Sequence, residues 1–217
     1  MKDTPAPLKT AFICFTLGLF VITMTGCGGG SGYKKSDSAT ARMDSLKTEL
    51  LQGKVQIDAT ITAMNDVVAK ANTDPRGAFE TFTKEIKKTE AQAKKVSKQA
   101  TEMKKQGAAY FKKWEAEFKK IASPELQARF EQRKSVVQAQ YDTISEAATQ
   151  LGEHYQAFIG DVHDIQRVLS IDLTSDNIGS ISDIVKDTTK ESTKINSLIQ
   201  QYVDALNTVS AEMRPAQ

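Results

Sequence analysis

The stretch "FETFTKEIKKTEAQAKKVSKQATEMKKQGAAYFKKWEAEF", residues 79–118, decides the fold. Apolar or small side chains recur in it at alternating intervals of three and four residues, which places them on one narrow stripe of an α-helix. A stripe that persists over five heptads is typical of coiled-coil-like packing. Its members are Phe79, Phe82, Ile86, Thr89, Ala93, Val96, Ala100, Met103, Gly107, Tyr110 and Trp114.

Three further segments of the chain keep the same periodicity, and short turns separate them. Pro75 and Pro124 suit the first position of a helix, where the missing N–H has no partner to lose, and Thr174 or Ser175 suits a cap. Short turns between long helices favour antiparallel neighbours. We therefore expect an all-α fold, an elongated antiparallel up-down-up-down helical bundle with coiled-coil-like packing over residues 38–217. Its helices are expected at about 38–72, 75–122, 124–171 and 175–213.

Several positions of the predicted seam carry small or polar residues. Small side chains let two helices approach closely, but they bury little apolar area. A polar residue in a seam also fixes the register of the helices; the alternative, that these residues are simply tolerated in a long narrow core, stays open. They are Gly53, Thr60, Thr89, Ala93, Ala100, Thr188 and Ser192.

The N-terminus has the pattern of an export signal. Lys2 and Lys9 precede the apolar run "AFICFTLGLFVI", which is shorter than the about 20 residues that span a bilayer. The "MTGC" that follows resembles the cleavage box of bacterial lipoproteins. We therefore expect residues 1–26 to be a lipoprotein signal peptide and Cys27 to carry the lipid. The alternative is an ordinary signal peptide with an incidental cysteine.

Residues 27–37 are predicted to be the lipidated cysteine and a flexible tether, because "GGGSG" is typical of disordered linkers. Cys14 lies in the predicted signal peptide, so Cys27 has no partner for an intramolecular disulfide. We expect a protein of the bacterial cell envelope that is lipid-anchored and faces the periplasm. Gly28 favours the outer membrane over the inner one, by analogy with lipoprotein sorting.

No pattern in the sequence predicts catalysis. The two histidines, His154 and His163, lie nine residues apart and therefore on opposite sides of one helix, so they cannot share a metal. The cluster of Asp161, His163 and Asp164 is interpreted as a solvated helix face. The motifs of zinc proteases, P-loops and serine hydrolases are absent. We expect a protein that is not an enzyme and that needs no metal or cofactor.

The charge balance argues against nucleic acid as a partner, because the chain beyond residue 26 carries 27 basic and 26 acidic residues. The charges are unevenly distributed, however. The second helix has twelve lysines against six acidic residues. We interpret this excess as complementary packing plus a solvated face; a binding face for an anionic envelope partner is the alternative. A protein partner in the envelope is expected but not identified, and homo-oligomers stay possible.

The segment "YFKKWEAEFKKIASPELQARFEQRKSVVQAQYDTI" resembles a bacterial family known as domain of unknown function 2959. Phe111, Trp114 and Glu117 match its Phe-x-x-Trp-x-x-Glu block. Tyr141 and Ile144 match the aromatic step that follows. The resemblance implies a helical envelope lipoprotein and supplies no activity.

A second motif, "VLSIDLTSDNIGSI", is similar to the turn before the last helix of that family. Asp172 and Thr174 stand where the family typically has Asn, and Gly179 stands where Ala is commoner. The resemblance covers roughly residues 100–210, and the first helix matches poorly.

The two middle helices are expected to form a tip of the bundle. Antiparallel registration of the four segments leaves residues 112–134 with only each other as neighbours, about 15 Å beyond the other two helices. The heptad also breaks after Trp114, because Glu117 occupies the next seam position and Phe118 follows it. Phe111, Trp114, Phe118, Ile121, Leu126 and Phe130 are predicted to close the tip as an apolar plug.

The tip lies at the tethered end, so we expect it to contact the membrane or a partner. The alternative is that Trp114 and Phe118 pack only on Phe130 and Leu126. The predicted function is a non-enzymatic scaffold or adaptor for envelope partners, with two alternatives: a carrier of an apolar ligand or lipid in the bundle interior, or membrane-surface remodelling by the helical tip. The predicted contact residues are Phe111, Lys112, Trp114, Phe118, Lys119 and Arg129.

Overall fold

A computed structural model describes residues 32–214 of the chain, and the predicted all-α bundle is confirmed. The predicted signal peptide, Cys27 and the first residues of the tether lie outside the described residues. No strand occurs between residues 32 and 214. The helices are α1 (Gly32–Ala69), α2 (Pro75–Phe118), α3 (Pro124–Ile171), α4 (Ser175–Ser180) and α5 (Ser182–Met213).

Helix α1 begins earlier than predicted, and residues 32–37, predicted to be flexible tether, are helical. The reason is tertiary contact. The hydroxyl of Ser36 donates a hydrogen bond to the carbonyl oxygen of Met213, and Ala39 and Met43 are buried in the core. These contacts outweigh the weak helix preference of the glycine and serine residues.

The last predicted helix is interrupted at Ile181, which separates α4 from α5. The break follows Gly179 and Ser180, two weak helix formers, and the hydroxyl of Ser180 donates to the carbonyl of Asn177. Thr174 caps α4, since its hydroxyl accepts the backbone N–H of Asn177 at 3.4 Å. The two helices continue the same face of the bundle.

The predicted seam is the core of the bundle. On α4 and α5, every residue of the predicted stripe from Ile178 to Met213 is buried. Helix α2 packs along α1, α3 packs along α5, and α1 contacts α5, whereas the contact between α2 and α3 is much less extensive. The outer side of α2 is therefore left to solvent.

A polar layer crosses the seam between α1 and α2. The hydroxyls of Thr60 and Thr89 lie 2.7 Å apart and both are buried. Nearby, the side-chain amide of Gln92 donates to the backbone carbonyl of Glu49 at 2.9 Å and to its carboxylate at 2.7 Å. A shift of one helix along the other would break these bonds in a dry environment, so the layer favours one register.

At Gly107 the side chain of Tyr141 on α3 packs directly against the backbone of α2. A Cβ atom at residue 107 would lie 2.3 Å from the hydroxyl oxygen of Tyr141, and that hydroxyl donates to the carbonyl of Met103 at 3.2 Å. Only a residue without a side chain leaves room for this hydrogen bond. Gly160, on the open face of α3, has no atom within 4 Å of the same position.

We expect Gly107→Ala to destabilise the bundle by about 1–3 kcal/mol, because the added methyl overlaps the ring of Tyr141. The matched control Gly160→Ala should stabilise it by about 0.5–1 kcal/mol, because the same change there only lowers the entropy of the unfolded chain. Urea unfolding followed by circular dichroism measures both. Equal effects of the two substitutions would contradict the close approach.

Candidate functional site: the aromatic tip

The tip, residues 112–134, comprises the end of α2, the turn after it and the start of α3. None of its residues is fully buried. The guanidinium of Arg133 contacts Glu212 near the end of α5, and this contact marks the base of the tip. Beyond that level, the side-chain contacts that the structure describes run within or between α2 and α3.

Aromatic rings hold the two helices of the tip together. Trp114 lies edge-on to Phe130 with their ring centroids 5.1 Å apart, and Phe118 stacks on Phe130 at 5.7 Å. Tyr110 contacts the other side of Trp114 at 5.4 Å. Such pairs contribute about 0.5–1.5 kcal/mol each beyond their buried area. The structure thus directs Trp114 and Phe118 towards α3.

The row of rings continues to the base of the tip. Phe111 lies edge-on to Tyr141 at 5.6 Å, next to the close approach at Gly107. Burial raises the pKa of Tyr110, and it raises that of Tyr141 to about 12. The indole Nε1 of Trp114 is buried and has no acceptor among the described residues. The polar ends of these rings are thus shielded from bulk solvent.

Most charges of the tip are paired. The carboxylate of Glu117 contacts Lys113 at 2.6 Å and Lys120 at 3.1 Å, and these hydrogen bonds lower its pKa. Arg129, one of the predicted contact residues, pairs with Glu125 at 3.1 Å. The other two cations of that set, Lys112 and Lys119, are exposed, and neither forms an ion pair with a described residue.

The prediction that Leu126 belongs to the apolar plug is wrong, because 56% of its surface is exposed. Helix α2 ends at Phe118, four residues before the predicted end, and this leaves Leu126 without a helical neighbour on α2. Its backbone N–H is capped by the hydroxyl of Ser123, and Gln127 bonds the carbonyl of Ile121 across the turn. Leu126 thus exposes its apolar side chain at the apex of the tip, next to the turn between α2 and α3.

Both histidines lie at helix–helix contacts. His154 Nδ1 is 2.5 Å from a carboxylate oxygen of Glu191 on α5, and His163 Nε2 is 3.0 Å from one of Glu90 on α2. Asp161 and Asp164 are exposed, as expected for a solvated helix face, and His163 is partly exposed while it contacts Glu90. Each pair joins two helices, and in the part of the chain that the structure describes no group of three metal-binding side chains occurs.

One surface feature was missed by sequence reasoning. Leu51 and Val55 are exposed on α1, and with Ala91 of α2 they line a shallow open groove of about 600 Å³. Gln52, Gln56, Lys88 and Lys95 form its polar border. The apolar periodicity of α1 indicated only the residues of the seam. It did not indicate that Leu51 and Val55 form a second, weaker apolar stripe.

The comparison with protein families gives a match over the whole length of the bundle. The model of the family described as "Protein of unknown function (DUF2959)" matches residues 29–213. The chain therefore belongs to this family, as the motifs at the tip and at the last turn indicate. No curated protein and no solved structure matches it. Within residues 32–214, no helix is long and apolar enough to cross a membrane.

The raised pKa of Tyr141 predicts a loss of stability in alkali. In the unfolded chain this phenol ionises near pH 10, whereas in the bundle it stays protonated to about pH 12. Its contribution is therefore intact below pH 10 and is lost as the pH rises towards 12, by about 1.4 kcal/mol per pH unit.

We expect Tyr141→Phe to lower the free energy of unfolding at neutral pH by about 0.5–1.5 kcal/mol, because the bond to Met103 is lost. Between pH 10 and 12 its stability should fall less steeply than that of the unmodified chain. Denaturant titrations across this range measure the two slopes. Parallel slopes would show that the hydroxyl is solvated rather than buried.

Proposed function

We propose that this member of the DUF2959 family is a non-enzymatic, lipid-anchored rod of the bacterial cell envelope, which faces the periplasm and acts as a scaffold for envelope partners. The observation that carries the proposal is that three features meet at one end of the bundle: the start of α1, the end of α5 and the tip. Ser36 bonds Met213, and Arg133 contacts Glu212, at that end.

The predicted lipid attachment lies close to the same end. Cys27 precedes Gly32, the first residue of α1, by five positions, so the chain between them can span at most about 18 Å. The 38 residues of α1 extend about 57 Å away from it. A lipid on Cys27 would hold the tip next to the bilayer and the turns at the other end far from it.

The interior of the bundle supports a structural role better than a carrier role. Two polar links cross between α1 and α2 near its centre, where Thr60 bonds Thr89 and Gln92 bonds Glu49. The groove beside Leu51 lies on the outside, between α1 and α2, and opens to solvent. A carrier of an apolar ligand needs an enclosed apolar cavity instead.

The apex supports a contact between the tip and the membrane surface that keeps the expected Lys119 but uses Leu126 in place of the expected Trp114 and Phe118. Trp114 and Phe118 contact Phe130, whereas Leu126 is free to enter the headgroup region and Lys119 lies close to it in the chain. An exposed leucine next to cations is suited to the surface of an anionic bilayer.

Replacement of Cys27 by Ser is expected to release the protein from the membrane fraction and to abolish its labelling with radioactive palmitate, because the acyl chains have no other attachment site. Cys14→Ser is the matched control and should leave both unchanged, since the predicted signal peptide is removed. Fractionation of cells and autoradiography give the result. Labelling of the Cys27→Ser variant would overturn the lipid anchor.

The apical contact is tested with the unlipidated Cys27→Ser protein and vesicles that contain anionic lipid. We expect Leu126→Asp to weaken co-sedimentation by about tenfold, equivalent to the about 1–2 kcal/mol of a partly buried leucine. Ile171→Asp, at the opposite end and with 82% of its surface exposed, is the control and should have no effect.

Trp114 emission is a second readout of the same experiment. The emission should shift little on binding, because the ring already packs between Tyr110 and Phe130. A large blue shift with an unaltered response to Leu126→Asp would show that the tip opens and inserts its aromatic residues instead. Equal binding of both aspartate variants would exclude an apical contact.

A further inference from the structure

The outer side of α2 carries a regular row of lysines. If the buried seam of α2 is written as heptad positions a and d, with Phe82 at d and Ile86 at a, position f lies directly opposite the seam. Five of the six residues at position f from residue 84 to residue 119 are lysine, and the sixth is Ala91. We call these five the lysine row: Lys84, Lys98, Lys105, Lys112 and Lys119.

The lysine row is exposed along its whole length. None of its five ammonium groups forms an ion pair with a described residue, although ion pairs at three and four residues are frequent elsewhere in the bundle. Lys70, Lys186 and Lys190, for comparison, pair with Asp66, Asp183 and Asp187 at 2.7–2.8 Å. The row therefore presents five ammonium groups to solvent without an ion pair to a described residue.

Four of the six acidic residues of α2, Glu117 among them, contact side chains outside the row. Glu85 contacts Lys88 and Gln56, and these hydrogen bonds lower its pKa. In the same way, Glu90 contacts His163 and Glu115 contacts Lys134, both of which lie on α3.

Glu80, Glu102 and Glu115 occupy positions next to the row and add three negative charges there. Positive charge is added by Lys87, Lys94 and Lys95, which are exposed and border the N-terminal part of the row. The outer side of α2 is thus strongly positive overall.

The lysines of the row are spaced along the helix at multiples of seven residues. Successive lysines seven residues apart are separated by about 10.5 Å along the helix, and the row from Lys84 to Lys119 measures about 52 Å. Because a coiled-coil-like helix keeps each heptad position in line with the seam, the charges from Lys84 to Lys112 run nearly parallel to the rod, and Lys119 follows after the heptad break at Trp114. Such a row matches a linear partner with widely spaced negative charges.

We propose that the lysine row binds a linear anionic polysaccharide along the outer face of α2. In polysaccharides built from acidic disaccharides, carboxylates recur at wide and regular intervals along an extended, hydrated chain. Isolated exposed ion pairs are weak and screened by salt, so affinity depends on several lysines that act on one chain. The inference goes beyond the scaffold role and does not depend on the lipid anchor.

The outer face of α2 fits other polyanions less well. All its aromatic residues from Phe79 to Phe118 lie at or beside the seam, so no ring is offered for the stacking of bases. Duplex DNA carries one charge per about 1.7 Å, far denser than the row. None of the large exposed apolar side chains is on α2, and a helix that lies on a membrane needs an apolar face.

The test uses the full chain with Cys27→Ser, so that no lipid contributes, and fluorescent hyaluronate fragments of increasing length at low ionic strength. Hyaluronate has one carboxylate per disaccharide. Fluorescence anisotropy should report an affinity that rises with fragment length and levels off when the fragment reaches about 52 Å, the length of the row. Added salt should weaken the binding progressively.

Two triple variants separate the row from general charge. Lys98→Gln, Lys105→Gln and Lys112→Gln together should lower the affinity for the long fragment by about tenfold or more, because the middle of the row is lost. The control replaces Lys70, Lys186 and Lys190 by Gln, removes the same charge elsewhere, and should change the affinity by less than about twofold. Neither set contacts the core, and circular dichroism confirms equal folding.

Three results would overturn the proposal. The first is that no hyaluronate fragment binds at low ionic strength. The second is that both triple variants weaken binding equally, which would reduce the effect to net charge. The third is that single-stranded DNA or anionic vesicles bind more tightly than hyaluronate and lose this binding in the row variant, which would assign the row to a different class of partner.

Discussion

The seam between α1 and α2 is the constraint on which the rest of the molecule depends. Its apolar stripe is narrow, so α2 can cover α1 with one side only, and its other sides remain available for solvent or other helices. The bond between Thr60 and Thr89 sets the register at which the two helices meet. That register determines how far α2 extends past the start of α1, and therefore whether the bundle has a tip.

The tip in turn compensates for the limited contact between α2 and α3. Away from the tip, the polar links between these helices include His163 with Glu90 and Gln166 with Thr83. Near the tip the contact becomes apolar, first at Gly107 and Tyr141 and then at Trp114 and Phe130. The sole tryptophan is thus used to join two helices where the other two have ended.

The periodic features of the sequence were the predictable ones. A stripe of period 3.5 has one structural solution, so the buried residues of α5 and the existence of the long helices followed from spacing alone. The local exceptions could not be predicted from spacing, because contacts with residues distant in the sequence determine them. Residues 32–37 are helical through the contact of Ser36 with Met213, and Leu126 is exposed because α2 ends four residues early. No pattern near either residue encodes its distant partner.

The distribution of polar groups separates the inside of this bundle from its outside in a way that bears on function. Inside, hydroxyl, amide and imidazole groups form links across helices at several levels, as Thr60 with Thr89 and His154 with Glu191, and these links favour one rigid arrangement. Outside, the five lysines of α2 opposite the seam form no ion pair with a described residue, although Glu80, Glu102 and Glu115 lie three or four residues from them in the sequence. On α5, by contrast, Lys186 and Lys190 pair with aspartates three residues away. A helix that needed only solubility would be served equally well by paired charges. A row of ammonium groups on a rigid rod is instead suited to holding an extended anion in place.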